Sequence, residues 1–167
     1  NVDSQATISS SGYRSSIVGI KSSADVTNRG TITLSSRGSV TGITGANATN
    51  RGNITVSGYG NNNVGIHGTT SATNVSGATV TVSGTSNAAG LLSAGAASNS
   101  GDVTVTGDYS DGINSTGNNG SSSSGTITVK GKRVNGIRGN ANANLTGGSV
   151  IVNSFGNIVH SHNNGVY

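Results

Sequence analysis

Aliphatic residues in this chain come in pairs, each pair split by one residue that is nearly always Thr. The pairs are Ile32/Leu34, Ile54/Val56, Val80/Val82, Val103/Val105, Ile127/Val129 and Val150/Val152, with Ile8/Ser10 as a degenerate first copy. Between the members sit Thr33, Thr55, Thr81, Thr104, Thr128 and Ile151. Side chains alternate faces along a strand, so this pattern predicts short strands with aliphatics on one face and Thr on the other. Successive first members are spaced by 24, 22, 26, 23, 24 and 23 residues. A period of this size predicts a solenoid, in which each coil contacts only its neighbours.

Two further segments complete each copy. A turn follows most first strands at Gly12, Gly58, Gly84, Gly107 or Gly131, and Gly suits a turn that needs a positive φ. A second segment then ends in Gly-Ile or Gly-Leu, at Ile20, Ile43, Ile66, Leu91, Ile113 and Ile137, with Asn157-Ile158 as the expected last copy. A third begins at a small residue (Val2, Val26, Ala48, Ala72, Ala97, Ser121, Ala143) and reaches Asn28, Asn50, Asn74 or Asn99 two residues later. Stacked Asn side chains can bond to one another along the axis as an amide ladder. A Gly then reopens the first strand at Gly30, Gly52, Gly77, Gly101, Gly125 and Gly147.

The expected fold is therefore all-β: a right-handed parallel β-helix of about seven coils, with three short strands per coil. Residues 1–167 read as a single segment without capping elements, expected to belong to a longer chain or to a fibre of stacked copies. The Gly load and the period-2 pattern oppose a helical repeat.

Composition narrows the function more than it defines it. There is no Cys, Pro, Met or Trp, and the 28 Gly leave only a narrow core of β-branched residues and Ala. Without Cys there is neither a disulfide framework nor a thiolate metal site. A net charge of +4 is far from the dense basic footprint of a nucleic-acid binder. No run of 18 apolar residues offers a membrane-spanning helix. No cofactor is expected.

The repeated Asn-x-Gly-x-Ile-Thr-Val strand, followed by Gly and later by Gly-Ile, resembles the passenger region of Gram-negative autotransporters over essentially the whole chain. The resemblance implies a right-handed β-helix carried to the bacterial cell surface by a separate β-barrel, working there as a non-enzymatic stalk or adhesin. Its expected partners are a host-surface receptor, a glycan or a second copy along the axis. The family's repeat positions are structural, so no active site carries over.

Several side-chain groups remain as candidates. The residue after the first-strand turn varies freely, through Tyr13, Arg37, Tyr59, Asp108, Lys132 and Phe155, and reads as an exposed binding column. Lys130, Lys132, Arg133 and Arg138 form a candidate basic patch that would attract sulfated glycans or anionic headgroups. Arg29 aligns with Arg51, and Arg14 with Arg37. The outward Thr rows suit an ice-binding face, although Asn53, Asp102, Ser149 and Ile151 interrupt them. Asp102, Asp108 and Asp111 are the only acidic cluster on which a carbohydrate-active β-helix could rely, with Asp108 expected to pair with Lys132. His160 and His162 lack a third ligand and make a weak metal signal.

Overall fold

A computed structural model describes residues 2–5, 7–13, 15–155 and 164–166. The described residues form an all-β solenoid of about six turns, in which every strand pairing is parallel and no helix occurs. The first ladder stacks Thr7–Gly12, Thr31–Ser36, Asn53–Gly58, Thr79–Gly84, Asp102–Thr106, Thr126–Gly131 and Ser149–Ser154. Its seven strands bound six turns, one fewer than the number of sequence copies. Ile32, Ile54, Val80, Val103 and Ile127 stand in one column, and Leu34, Val56, Val82, Val105 and Val129 in the next. All ten are buried, while the Thr between them face out. Full burial of one such side chain is worth about 1.5–3 kcal/mol, so each coil adds a few kcal/mol to offset the entropy of ordering it.

The second ladder runs through Ile17–Lys21, the first half of Val40–Asn50, the first half of Asn62–Asn74, and then Asn87–Ser93, Tyr109–Ser115, Arg133–Gly139 and Asn164–Val166. It aligns Ile20, Ile43, Ile66, Leu91, Ile113 and Ile137. The next place in that column belongs to Val166, not to Ile158, because Asn135 pairs with Asn164 and Ile137 with Val166. The last copy thus has more residues between its first strand and its Gly-Val than earlier copies have, and Asn157, Ile158, His160 and His162 lie outside the described residues. In two coils the second and third segments fuse into single strands, Val40–Asn50 and Asn62–Asn74, with a register shift between Gly45 and Asn47. Elsewhere three separate strands per coil are present, as the sequence pattern predicts.

The third ladder aligns Ser4, Asn28, Asn50, Asn74, Asn99, Ser123 and Leu145. The four Asn are buried and form one chain of amides. Asn28 Nδ2 donates to Asn50 Oδ1 at 2.8 Å, Asn50 Nδ2 to Asn74 Oδ1 at 2.9 Å, and Asn74 Nδ2 to Asn99 Oδ1 at 2.9 Å. Asn99 Nδ2 ends the chain on Ser123 Oγ at 3.2 Å. The same amides tie down the following corner, where Asn28, Asn50 and Asn99 each donate to the carbonyl two residues on, at Gly30, Gly52 and Gly101. An amide suits this place because it offers donors and acceptors both along and across the stack.

Glycine use differs from the turn-based expectation. Among the described residues only Gly77, Gly120 and Gly148 have positive φ. At the turn glycines Gly12, Gly58, Gly84, Gly107 and Gly131 the constraint is space instead. A Cβ on Gly84 would lie 2.6 Å from Asn63 Nδ2, and one on Gly107 would lie 2.6 Å from Ser110 Oγ. At the reopening corner the amide of Asp102 bonds the Ala78 carbonyl, so Ala78 rather than Gly77 holds the column place, and the two extra residues of this corner are absorbed in a turn through the left-handed Gly77.

The inward column beside the turns holds Val40, Asn63, Ala88, Ser110 and Val134. Two polar residues here were not legible as core. Asn63 is fully satisfied: its Oδ1 accepts from the Val40 amide at 3.1 Å, and its Nδ2 donates to the Gly58 and Gly60 carbonyls at 3.2 and 3.0 Å. Ser110 is buried and its hydroxyl has no hydrogen-bond partner. Ser110→Ala is therefore expected to leave stability unchanged or raise it by up to about 1 kcal/mol, read from denaturant midpoints, because it removes an unsatisfied hydroxyl without adding volume.

Candidate binding groove and surface columns

Register stacks the residues after the first-strand turn in one row. Tyr13, Arg37, Tyr59, Thr85, Asp108, Lys132 and Phe155 follow directly on the paired ends of the first ladder. They are not one chemical surface. Arg37 stacks 4.3 Å from the Tyr13 ring centroid and donates from Nη1 to the Tyr13 hydroxyl at 2.7 Å. Lys132 Nζ meets Asp108 Oδ2 at 2.7 Å, the expected ion pair, and that hydrogen bond holds the ammonium above its ordinary pKa. Tyr59 and Phe155 are exposed singly. The register sets Arg37 opposite Tyr13, while Arg14 lies outside the described residues. Arg29 does align with Arg51, and Arg29 is engaged by Asp3 at 2.9 Å.

The candidate basic patch divides. Lys130 lies on the outer face of the first ladder and Lys132 at the turn, whereas Arg133 and Arg138 belong to the second ladder and line a groove. The three acids divide as well. Asp102 is on the first-ladder face, Asp108 is beside Lys132, and Asp111 is in the groove. No two of these carboxylates line that groove together.

The groove has a simple local cause. Strict alternation breaks in the second ladder at Gly-Ile, where two successive residues turn inward. A Cβ on Gly65 would lie 2.7 Å from the Gly90 carbonyl oxygen and press into Val80 of the facing ladder. One on Gly112 would lie 2.5 Å from the Gly136 carbonyl oxygen and press into Ile127. The backbone therefore dips toward the core at each Gly, and the outward residues on either side of it converge. One flank is Val64, Ala89, Asp111 and Asn135; the other is His67, Leu92, Asn114 and Arg138. The resulting depression has a volume of about 710 Å³, with Asn62, Asn87, Tyr109 and Arg133 along its edge.

Asp111 is the centre of the polar end. Its side chain is only 15% exposed, Oδ2 accepts from Asn114 Nδ2 at 2.7 Å, and Oδ1 accepts from Asn135 Nδ2 at 2.8 Å. Arg138 Nη1 stands 3.7 Å from the same carboxylate. Arg133 lies 5.5 Å over the Tyr109 ring at the edge. Burial pushes the Asp111 carboxyl above its ordinary pKa, outweighing the two amides and Arg138, which act in the opposite direction. A carboxyl whose folded pKa is raised binds its proton more tightly when folded. Stability then falls as pH rises from the unfolded value through the folded one, and is level above it. Denaturant midpoints measured across the acidic range are expected to show that slope in the parent chain and to lose it in Asp111→Asn.

The outward rows of the first ladder are aligned as the pattern predicts, with Asn53, Asp102 and Ser149 interrupting one row and Ile151 the other. His67 meets Thr44 Oγ1 through Nδ1 at 3.3 Å. Among the described residues no group of three or more His or carboxylate side chains is placed to hold a metal ion, and no helix is long and apolar enough to cross a membrane. No protein-family model matches the chain, and comparison with curated proteins and with solved structures finds no similar protein.

Proposed function

We propose that this chain is a non-enzymatic structural and adhesive segment of a bacterial surface protein, exposed outside the cell in the manner of an autotransporter passenger. One observation carries the proposal: the repeat-constant residues all build the coil. The aliphatic columns, the Gly column and the Asn chain are spent on stacking. The turn column and the groove flanks vary from coil to coil and face outward, while the one buried column that varies, from Val40 through Asn63 and Ser110 to Val134, stays inside the coil. A stack of this kind is a rigid spacer whose surface can change without cost to the fold.

The separation of Asp102, Asp108 and Asp111 onto three surfaces supports binding over glycoside cleavage, which uses two carboxyl groups flanking one bond. The coding sequence downstream of Tyr167 tests the surface assignment. An in-frame outer-membrane β-barrel is the expected result. A gene without any barrel, whose product is recovered wholly from the cytosol, would overturn it.

A further inference from the structure

The polar end of the groove combines charge with concavity. It brings two guanidinium groups, Arg133 and Arg138, around a single carboxylate, Asp111, whose two oxygens are already occupied by Asn114 and Asn135. That carboxylate is engaged inside the protein, and the local balance is positive. Arg133 is held at the edge by the Tyr109 ring, and Arg138 is 53% exposed beside Asp111, so both present donors to solvent from restrained positions. The groove walls are poor in large aliphatic side chains, with Leu92 on one flank and only Val64 and Ala89 on the other. Such a lining favours a hydroxylated ligand over an apolar peptide or a lipid chain.

The groove runs along the stack, so its columns repeat at the ladder spacing of about 4.8 Å. A linear polymer of pyranose units, whose advance is similar, can set successive residues against successive coils. The amides of Asn62 and Asn87 continue the edge in line with Tyr109 and Arg133. We infer that the groove binds an extended anionic polysaccharide, with Arg133 and Arg138 pairing with its carboxylates or sulfates. This rests on the adhesive reading above and names its ligand class.

The test uses the whole chain with three probes: polygalacturonate as the uronate source, heparin fragments as the sulfated source, and dextran as a neutral control. Titration calorimetry is expected to show binding of at least one anionic probe and none of dextran, with affinity falling as salt rises. Arg133→Ala with Arg138→Ala should weaken binding roughly tenfold or more. Arg29→Ala with Arg51→Ala, on another ladder, should leave it unchanged. The melting temperature of both double variants reports that the coil is intact. Which anionic probe binds decides between uronate and sulfate. Absence of binding to either anionic probe, equal binding of dextran, or equal loss in the Arg29/Arg51 pair would each overturn the groove assignment. Beads coated with the chain provide the separate readout for adhesion. Attachment to cells that persists in the Arg133/Arg138 variant leaves the adhesive reading standing while removing the groove, and beads that never attach count against the adhesive reading itself.

Discussion

Asn50→Ala is expected to lower the unfolding free energy by about 3–4 kcal/mol, among the largest effects of any single substitution in this chain. Asn50 is fully buried between Asn28 and Asn74. Its loss strips Asn74 Oδ1 of the ladder donor and Asn28 Nδ2 of the ladder acceptor, and removes donors from the Gly52 and Thr79 carbonyls at 2.9 and 3.1 Å. Each buried group left without a partner costs about 1–3 kcal/mol, and the cavity left by the amide admits little water to replace it. Asn50→Asp is expected to be at least as damaging, because a carboxylate would turn an acceptor toward Asn74 Oδ1 and two carbonyls. Asn50→Ser should cost less, since Ser123 already fills the same column place and accepts from Asn99 at 3.2 Å. Urea unfolding of the three variants checks the order Ser, then Ala and Asp.

The second large effect is expected at the groove floor. Gly65→Ala adds one methyl group, yet that Cβ would press into Val80 Cγ1 and lie 2.7 Å from the Gly90 carbonyl oxygen. Val80 cannot move away, because it is buried in a column with Ile54 and Val103. The strand must therefore rise from the core, which pulls Ile66 off its place between Ile43 and Leu91. Overpacking of this kind costs about 1–3 kcal/mol and more where backbone has to shift, so a loss near the top of that range is expected. Gly77→Ala is a useful contrast, since nothing lies within 4 Å of its Cβ position and only its φ of 78° opposes the change. It should cost about 1 kcal/mol. Thermal unfolding of the two variants separates crowding from backbone conformation.

The coil was legible in the sequence because its period is carried by residue types with one physical use each. Aliphatic-Thr-aliphatic fixes the facing of the first ladder, and the buried columns from Ile32 to Ile127 follow directly. Asn at one place in four successive copies signalled the amide chain, and the Asp108–Lys132 pair followed from register alone. The groove was not legible, for two reasons. Asp111, Arg133 and Arg138 belong to different columns, so no linear motif links them. The concavity comes from a break in alternation at Gly-Ile, where the Gly was read only as part of a strand end. The available signal was two consecutive inward residues in each copy. The polar core residues Asn63 and Ser110 were missed because their column is aliphatic in only some coils. Val166 took the place expected for Ile158 because a copy with extra residues before that place cannot be aligned by period.

The separation of coil-building residues from outward ones is tested most directly by comparing two substitution sets in one urea titration. The first is Asn50→Ala alone. The second combines Asn62→Ser, Asn87→Ser, Tyr109→Ser and Arg133→Ser along the exposed edge of the groove. The account predicts that the single buried change lowers the unfolding free energy by about 3–4 kcal/mol, while the fourfold outward change leaves it within about 1 kcal/mol of the parent. A groove set that costs as much as Asn50→Ala would contradict it.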